Sequence, residues 1–185
     1  MNEGSSGIFV ACTNRGAFVR VMGRGSYRNA QPLRQFGLEI VARDGAMIFC
    51  DLAQCQGMDS TFLGVLAGFG LKFHQLGRKD GLQLFNADTR SRELCQSLGL
   101  DRLARIEPGV PETPEFQLPP DSEYRLLPDT DLTALSKPAD QAVTASVMLE
   151  AHEDLCRADE RNETKFKDVK NLLREEIAQR ATQEK

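Results

Sequence analysis

Tryptophan is absent from these 185 residues, histidine occurs only twice, and aromatics make up 6% of the chain. No apolar run approaches the ~18 residues of a membrane-spanning helix, and the mean hydropathy is −0.38; membrane insertion is not expected. Met1 to Gly7 is small and polar, without the charged-then-apolar leader of a secreted protein, so the expectation is a cytoplasmic one. The five cysteines (Cys12, Cys50, Cys55, Cys95 and Cys156) are odd in number and show no C-x-x-C spacing. Most lie inside apolar periodic segments, which points to reduced core thiols rather than a disulfide framework. His74 and His152 stand alone in the sequence and do not by themselves make a zinc site. There is no Gly-x-x-x-x-Gly-Lys and no Gly-x-Gly-x-x-Gly; Gly23-Arg24-Gly25 reads as a turn. No Ser/His/Asp or Cys/His set falls in a recognisable order. The expectation is therefore no catalytic residue, no metal and no cofactor: not an enzyme.

What is present is a core-forming chain, 41% hydrophobic and 27% charged, with a net charge of −4 that is unevenly spread. Residues 1–107 carry 13 Lys/Arg against 10 Asp/Glu, residues 108–136 carry 1 against 6, and residues 137–185 carry 9 against 11. A first part this mildly basic, with few exposed-looking aromatics, argues against nucleic acid as a partner. The shifts in composition mark three parts: a domain over 1–107, an acidic Pro-rich linker over 108–137 and a C-terminal amphipathic helix over 138–185.

Within the first part, Ile8–Thr13 and Ala17–Gly23 flank the turn Asn14-Arg15-Gly16 and read as a hairpin. Leu33, Phe36, Ile40 and Val41 share one face of a helix from about Asn29 to Arg43, with Pro32 in its first turn. Ala46–Leu52 is an apolar run suited to a strand buried on both faces, expected to stop before Gly57. Asp59-Ser60-Thr61 then starts a second helix running to about Gly77. Gly64 and Gly68, four apart, give that helix a small face for close approach of the sheet. Leu82–Asn86 is a strand, Thr89–Leu98 a helix behind a cap at Asp88 and stopped by Gly99, and Leu103–Ile106 a last strand. The order is β-β-α-β-α-β-α-β. It predicts an α/β domain with a mixed, mostly parallel sheet layered by helices, and sites beyond the carboxyl ends of its strands.

The Asp59-Ser60-Thr61 turn lies in that region. Taken alone it reads as a helix cap; its other reading is a hydroxyl able to carry phosphate at the positive end of a helix. Ile48-Phe49-Cys50-Asp51-Leu52, a short connection, Met58-Asp59-Ser60-Thr61 and Gly64-Val65-Leu66 together resemble the signature of STAS domains. That family includes the anti-sigma factor antagonists of bacterial partner-switching systems, and the resemblance extends over residues 8–107. It implies a regulator without catalysis of its own. An anti-sigma factor serine kinase would phosphorylate Ser60, with Thr61 as second choice, and a serine phosphatase would restore it. The unphosphorylated form would hold the kinase and free a transcription regulator. Ser26, Asp59, Ser60, Thr61 and Phe62 would form the partner face. Phe62 stands where the family often has Gly, and Ser26 where many antagonists carry Asp. The alternative is a STAS scaffold or oligomerisation module that is never phosphorylated.

The linker holds Pro108, Pro111, Pro114, Pro119, Pro120 and Pro128. Proline with acidic residues favours an extended tether, yet Phe116, Leu118, Tyr124, Leu126 and Leu127 are apolar enough to pack on the domain or to dock elsewhere. From Pro138 the chain has no further proline or glycine. Val143, Val147, Met148, Ala151, Leu155, Ala158, Asn162, Phe166, Val169, Leu173 and Ile177 form a coiled-coil-like stripe with mostly three- and four-residue steps, interrupted at Asn162. One straight helix of this length would span about 60 Å, more than a 107-residue domain covers. The stripe fits a helix that covers an apolar face of its own domain or one that self-associates or binds a partner; its length favours self-association or partner binding through 138–180, with a break between Ala158 and Glu163.

Overall fold

Alternation of apolar residues along the early strands builds the centre of the molecule. The computed structural model describes residues 6–112, 116–129 and 138–183. Strands β1 (Gly7–Thr13) and β2 (Gly16–Gly25) form the expected antiparallel hairpin, with Thr13 opposite Gly16. Helix α1 (Tyr27–Val41) returns the chain to β3 (Met47–Met58), which pairs parallel with β2. Helix α2 (Ser60–Gln75), β4 (Leu82–Phe85), α3 (Thr89–Ser97) and β5 (Arg105–Ile106) follow, with β4 and β5 again parallel to their neighbours. A last strand, β6 (Arg125–Leu127), pairs antiparallel with β1, so the sheet reads β5-β4-β3-β2-β1-β6. Over residues 7–106 this is the β-β-α-β-α-β-α-β order expected from the sequence.

Both faces of the sheet are apolar because both are covered. Ile8, Val19, Val21, Ile48, Cys50, Leu82 and Leu84 point to the helix side, where they meet Leu33, Ile40, Leu63, Leu66, Phe69 and Phe73. The alternate positions Phe9, Ala11, Phe18, Phe49 and Phe85 form a second cluster on the opposite face with Phe116 and Tyr124. Phe116 meets Phe18, Phe49 and Phe85 edge-on at 5.3–5.7 Å between ring centroids. Phe116, Tyr124 and Leu127 of the Pro-rich stretch therefore pack back onto the sheet, while Leu118 and Leu126 stay exposed. A polar set fixes the same stretch. Asp51 accepts from Arg20 Nε at 3.3 Å and from Asn86 Nδ2 at 2.8 Å, Arg20 also pairs with Asp121 at 2.8 Å, and its guanidinium lies 4.1 Å from the Tyr124 ring centroid.

Three expectations change. The third strand does not stop before Gly57. It continues to Met58 because β2 is also longer, pairing Gly23 with Cys55 and Gly25 with Met58 across two irregularities in register. Gly23, at φ +82°, permits the irregularity. Helix α1 begins two residues earlier than expected, so Pro32 sits in its second turn and leaves one helical hydrogen bond unmade. The small face of α2 receives another helix, not the sheet.

That helix belongs to the C-terminal stripe, which folds as two helices, α4 (Pro138–Ala158) and α5 (Asn162–Gln183). The break falls where expected, at 159–161, but the halves turn back on each other and α4 lies along α2. A Cβ on Gly64 would stand 2.2 Å from the Ala151 carbonyl oxygen, and one on Gly68 would stand 2.4 Å from the Asp154 carboxylate. Val147, Ala151, Leu155 and Ala158 are buried in this packing. The turn between the helices is pinned to the domain. Asn162, fully buried, donates from Nδ2 to the carbonyls of Leu98 at 3.0 Å and Leu155 at 2.8 Å, and Asp159 pairs with Arg102 and Arg161. Much of the stripe expected to serve a second chain is thus covered by the chain's own first part.

Candidate functional site

Asp59 precedes the first turn of α2 with extended backbone, and its carboxylate serves two helices. One oxygen accepts from Phe62 N at 2.9 Å, as an N-cap does. The other accepts from Tyr27 N at 2.8 Å, a donor that opens α1. Asp59 N donates to the Gly25 carbonyl at 3.0 Å, which closes the corner between the ends of β2 and β3. Ser26 caps the start of α1 beside it and donates its backbone N–H to Asn29 Oδ1 at 2.8 Å. The end of β2, the start of α1 and the start of α2 meet at this corner.

The side chains expected to form one face are divided by the fold. Ser26, Asp59 and Ser60 are half-buried at the corner, whereas Thr61 and Phe62 are buried. The Phe62 ring lies over Gly25, where a Cβ would come within 2.7 Å of the ring. A bulky residue follows Ser60-Thr61 because a glycine opposite leaves room for it. The phenyl group belongs to the core.

Ser60 has a partner that local sequence did not reveal. Its Oγ lies 3.0 Å from Nε2 of His152, on α4. The other ring nitrogen, Nδ1, lies 2.7 Å from the Met148 carbonyl oxygen. A carbonyl only accepts, so Nδ1 carries the proton, Nε2 is the acceptor, and the Ser60 hydroxyl donates to it. The imidazole is buried and meets the Phe166 ring of α5 edge-on, with centroids 4.8 Å apart. Burial pushes its pKa below the ordinary 6.5; the Met148 bond and Asp59 push it up, and Lys170 pushes it down. The sequence signal for this pair was slight: His152 is one helical turn beyond Met148, on the edge of the apolar stripe.

A serine donating to an oriented imidazole has the sense of a nucleophile and its base, but the far nitrogen is held by a peptide carbonyl rather than a carboxylate. A cavity of about 560 Å³ lies on the far side of the sheet, lined by Arg15, Phe49, Arg105 and Phe116 among others, not by this pair. Among the described residues no group of three or more His, Cys, Asp or Glu is arranged to hold a metal ion. The five cysteines are free, and burial pushes the Cys95 thiol up to about 12. Among the described residues no helix is long and apolar enough to cross a membrane.

No family model matches the chain, and no curated protein matches it. Among solved structures it is similar to the anti-sigma factor antagonist SpoIIAA in its unphosphorylated form, at 16% identity over 48% of this chain and 81% of that one, with a TM-score of 0.43. It is also similar to a candidate anti-sigma factor antagonist from Thermotoga maritima, at 19% identity over 53% of this chain and 83% of that one, again with a TM-score of 0.43. Both overlaps span about half of this chain.

Proposed function

We propose that this protein is a partner-switching regulator of the anti-sigma factor antagonist type, without catalysis of its own, whose state is set by phosphorylation of Ser60. The observation that carries this reading is the position of the Ser60 hydroxyl. It is the first residue of α2, directly after the Asp59 cap, at the corner where α1, α2 and the end of β2 meet. An uncharged hydroxyl there leaves the corner free of added charge. A phosphoserine brings about −1.5 to −2 charges and three strong acceptors next to Asp59, enough to alter docking by repulsion and desolvation. The partners are an anti-sigma factor serine kinase and a serine phosphatase, and the setting is the cytoplasm. Thr61 is the weaker acceptor because its side chain is buried.

The test is incubation of the full chain with ATP and the serine kinase encoded nearest to it, followed by site-resolved mass spectrometry. A single phosphate on Ser60, lost in Ser60→Ala, is the expected result. Phosphate at another residue, or none, would overturn the assignment and leave the scaffold reading in its place.

A further inference from the structure

The α4–α5 hairpin lies on the helix whose first residue is Ser60, and the contact combines buried apolar residues with polar ties that the core beneath lacks. On the α2 side the contact is made by glycines, Gly64 and Gly68; on the α4 side it centres on Ala151. Backbones come close, and Val147, Ala151, Leu155 and Ala158 are buried against the domain's core. Polar ties add to this packing, at the turn through Asn162 and Asp159 and along the helix. His152 accepts from Ser60, Glu150 holds Arg34 of α1 through both carboxylate oxygens, and Asp154 sits over Gly68. The hairpin follows β6 through residues 128–137 and contributes no strand, so lifting it breaks no sheet pairing. An element that adds no strand can open while the sheet keeps its pairing.

We infer that the α4–α5 hairpin is a detachable cap over α2, latched by the Ser60–His152 hydrogen bond and released when Ser60 carries a phosphoryl group. The trigger rests on the reading of Ser60 as a phosphate acceptor; the cap itself does not. In the transfer, the bond between the γ-phosphorus of ATP and its bridging oxygen breaks and the Oγ–P bond forms. ADP leaves, and the hydroxyl proton passes to the base of the kinase. The product has lost the donor that His152 Nε2 received. In its place stand acceptor oxygens, facing an acceptor nitrogen across what was a 3.0 Å gap and beside the Asp59 carboxylate. Lys170, the cation felt by the imidazole, is engaged by Glu163 at 2.6 Å. The positive end of α2 favours the phosphate, whereas burying its charge against the acceptor nitrogen of His152 is strongly unfavourable. The same geometry makes the closed hairpin a barrier to the kinase, because the hydroxyl is engaged until the cap lifts.

Hydrogen–deuterium exchange followed by mass spectrometry on the full chain tests this with two independent variants. Ser60→Glu replaces the hydroxyl with a charge. Gly64→Ala leaves Ser60 intact and favours α2 as a helix, but its new methyl group meets the Ala151 carbonyl at 2.2 Å. Both are expected to speed exchange over residues 143–180 by about tenfold or more, the scale set by loss of one buried hydrogen bond, while β1 to β4 keep their protection. Unchanged protection over 143–180 in both variants would overturn the proposal, as would equal loss across the strands, which would make the hairpin part of one cooperative core. The chain phosphorylated on Ser60 is expected to match S60E. If it instead holds the hairpin more tightly, through a protonated His152, the release mechanism fails while the acceptor assignment stands. If the kinase leaves the chain unmodified but both variants open the hairpin, the assignment fails and the cap stands.

Discussion

His152 is held by groups from three directions: Ser60 from α2, Met148 one turn back on α4, and Phe166 from α5. Asp59 and Lys170 are the charged groups that bear on it, with opposite effects. Because burial holds the folded-state pKa below 6.5, the unfolded or undocked chain binds a proton first as pH falls. Stability is therefore full above 6.5 and declines as pH drops from 6.5 toward the depressed folded value, below which the loss levels off. Urea unfolding followed across this window is expected to show the decline, and His152→Gln is expected to flatten it. Full retention of the slope in H152Q would assign it to other groups. The donor sense of the Ser60 hydroxyl gives the decline a structural meaning, since a protonated Nε2 no longer accepts from it.

At the scale of elements, α2 is crowded on several sides, and glycines on its neighbours make this tolerable. Gly37 on α1 is the sharpest instance: a Cβ there would lie 2.0 Å from the tip of the Phe69 ring. Gly37→Ala would gain up to about 1 kcal/mol in helix propensity, yet it is expected to lose about 1–3 kcal/mol net through overpacking. Chemical denaturation measures this, and pairing the change with Phe69→Leu should recover part of the loss. Elements built from local signals were legible in the sequence. Asp59 and Asp88 were readable as caps, and each accepts a backbone N–H three residues on. Gly99 was readable as a stop, and it takes φ +80°. The alternation of Phe18 with Val19 and of Phe49 with Cys50 placed β2 and β3 in a covered sheet. What escaped depends on contacts between distant segments. The run of β3 past Gly57 needs the matching length of β2. The Ser60–His152 pair spans 92 positions and exists only because α4 lies on α2. The small face of Gly64 and Gly68 was visible, but glycine does not say which backbone will approach.

For the molecule as a whole, placing α4 against α2 and α5 against α4 covers much of the apolar stripe within one chain. Light scattering on the full chain is expected to give the mass of a monomer; a dimer would overturn this and restore self-association through 138–180. The position of β6 has a consequence for synthesis. The sheet is assembled from a strand near the amino terminus and one beyond residue 124, and the residues that cover its aromatic face, Phe116 and Tyr124, also arrive late. While the ribosome is still making residues 108–127, β1 presents an unpaired edge, and Phe9, Phe18, Phe49 and Phe85 lack their cover. An open edge beside bare aromatics is a template for aggregation. The nascent chain is thus most vulnerable just before Leu127 emerges, and the last three-residue strand, the shortest but one in the sheet, ends that exposure.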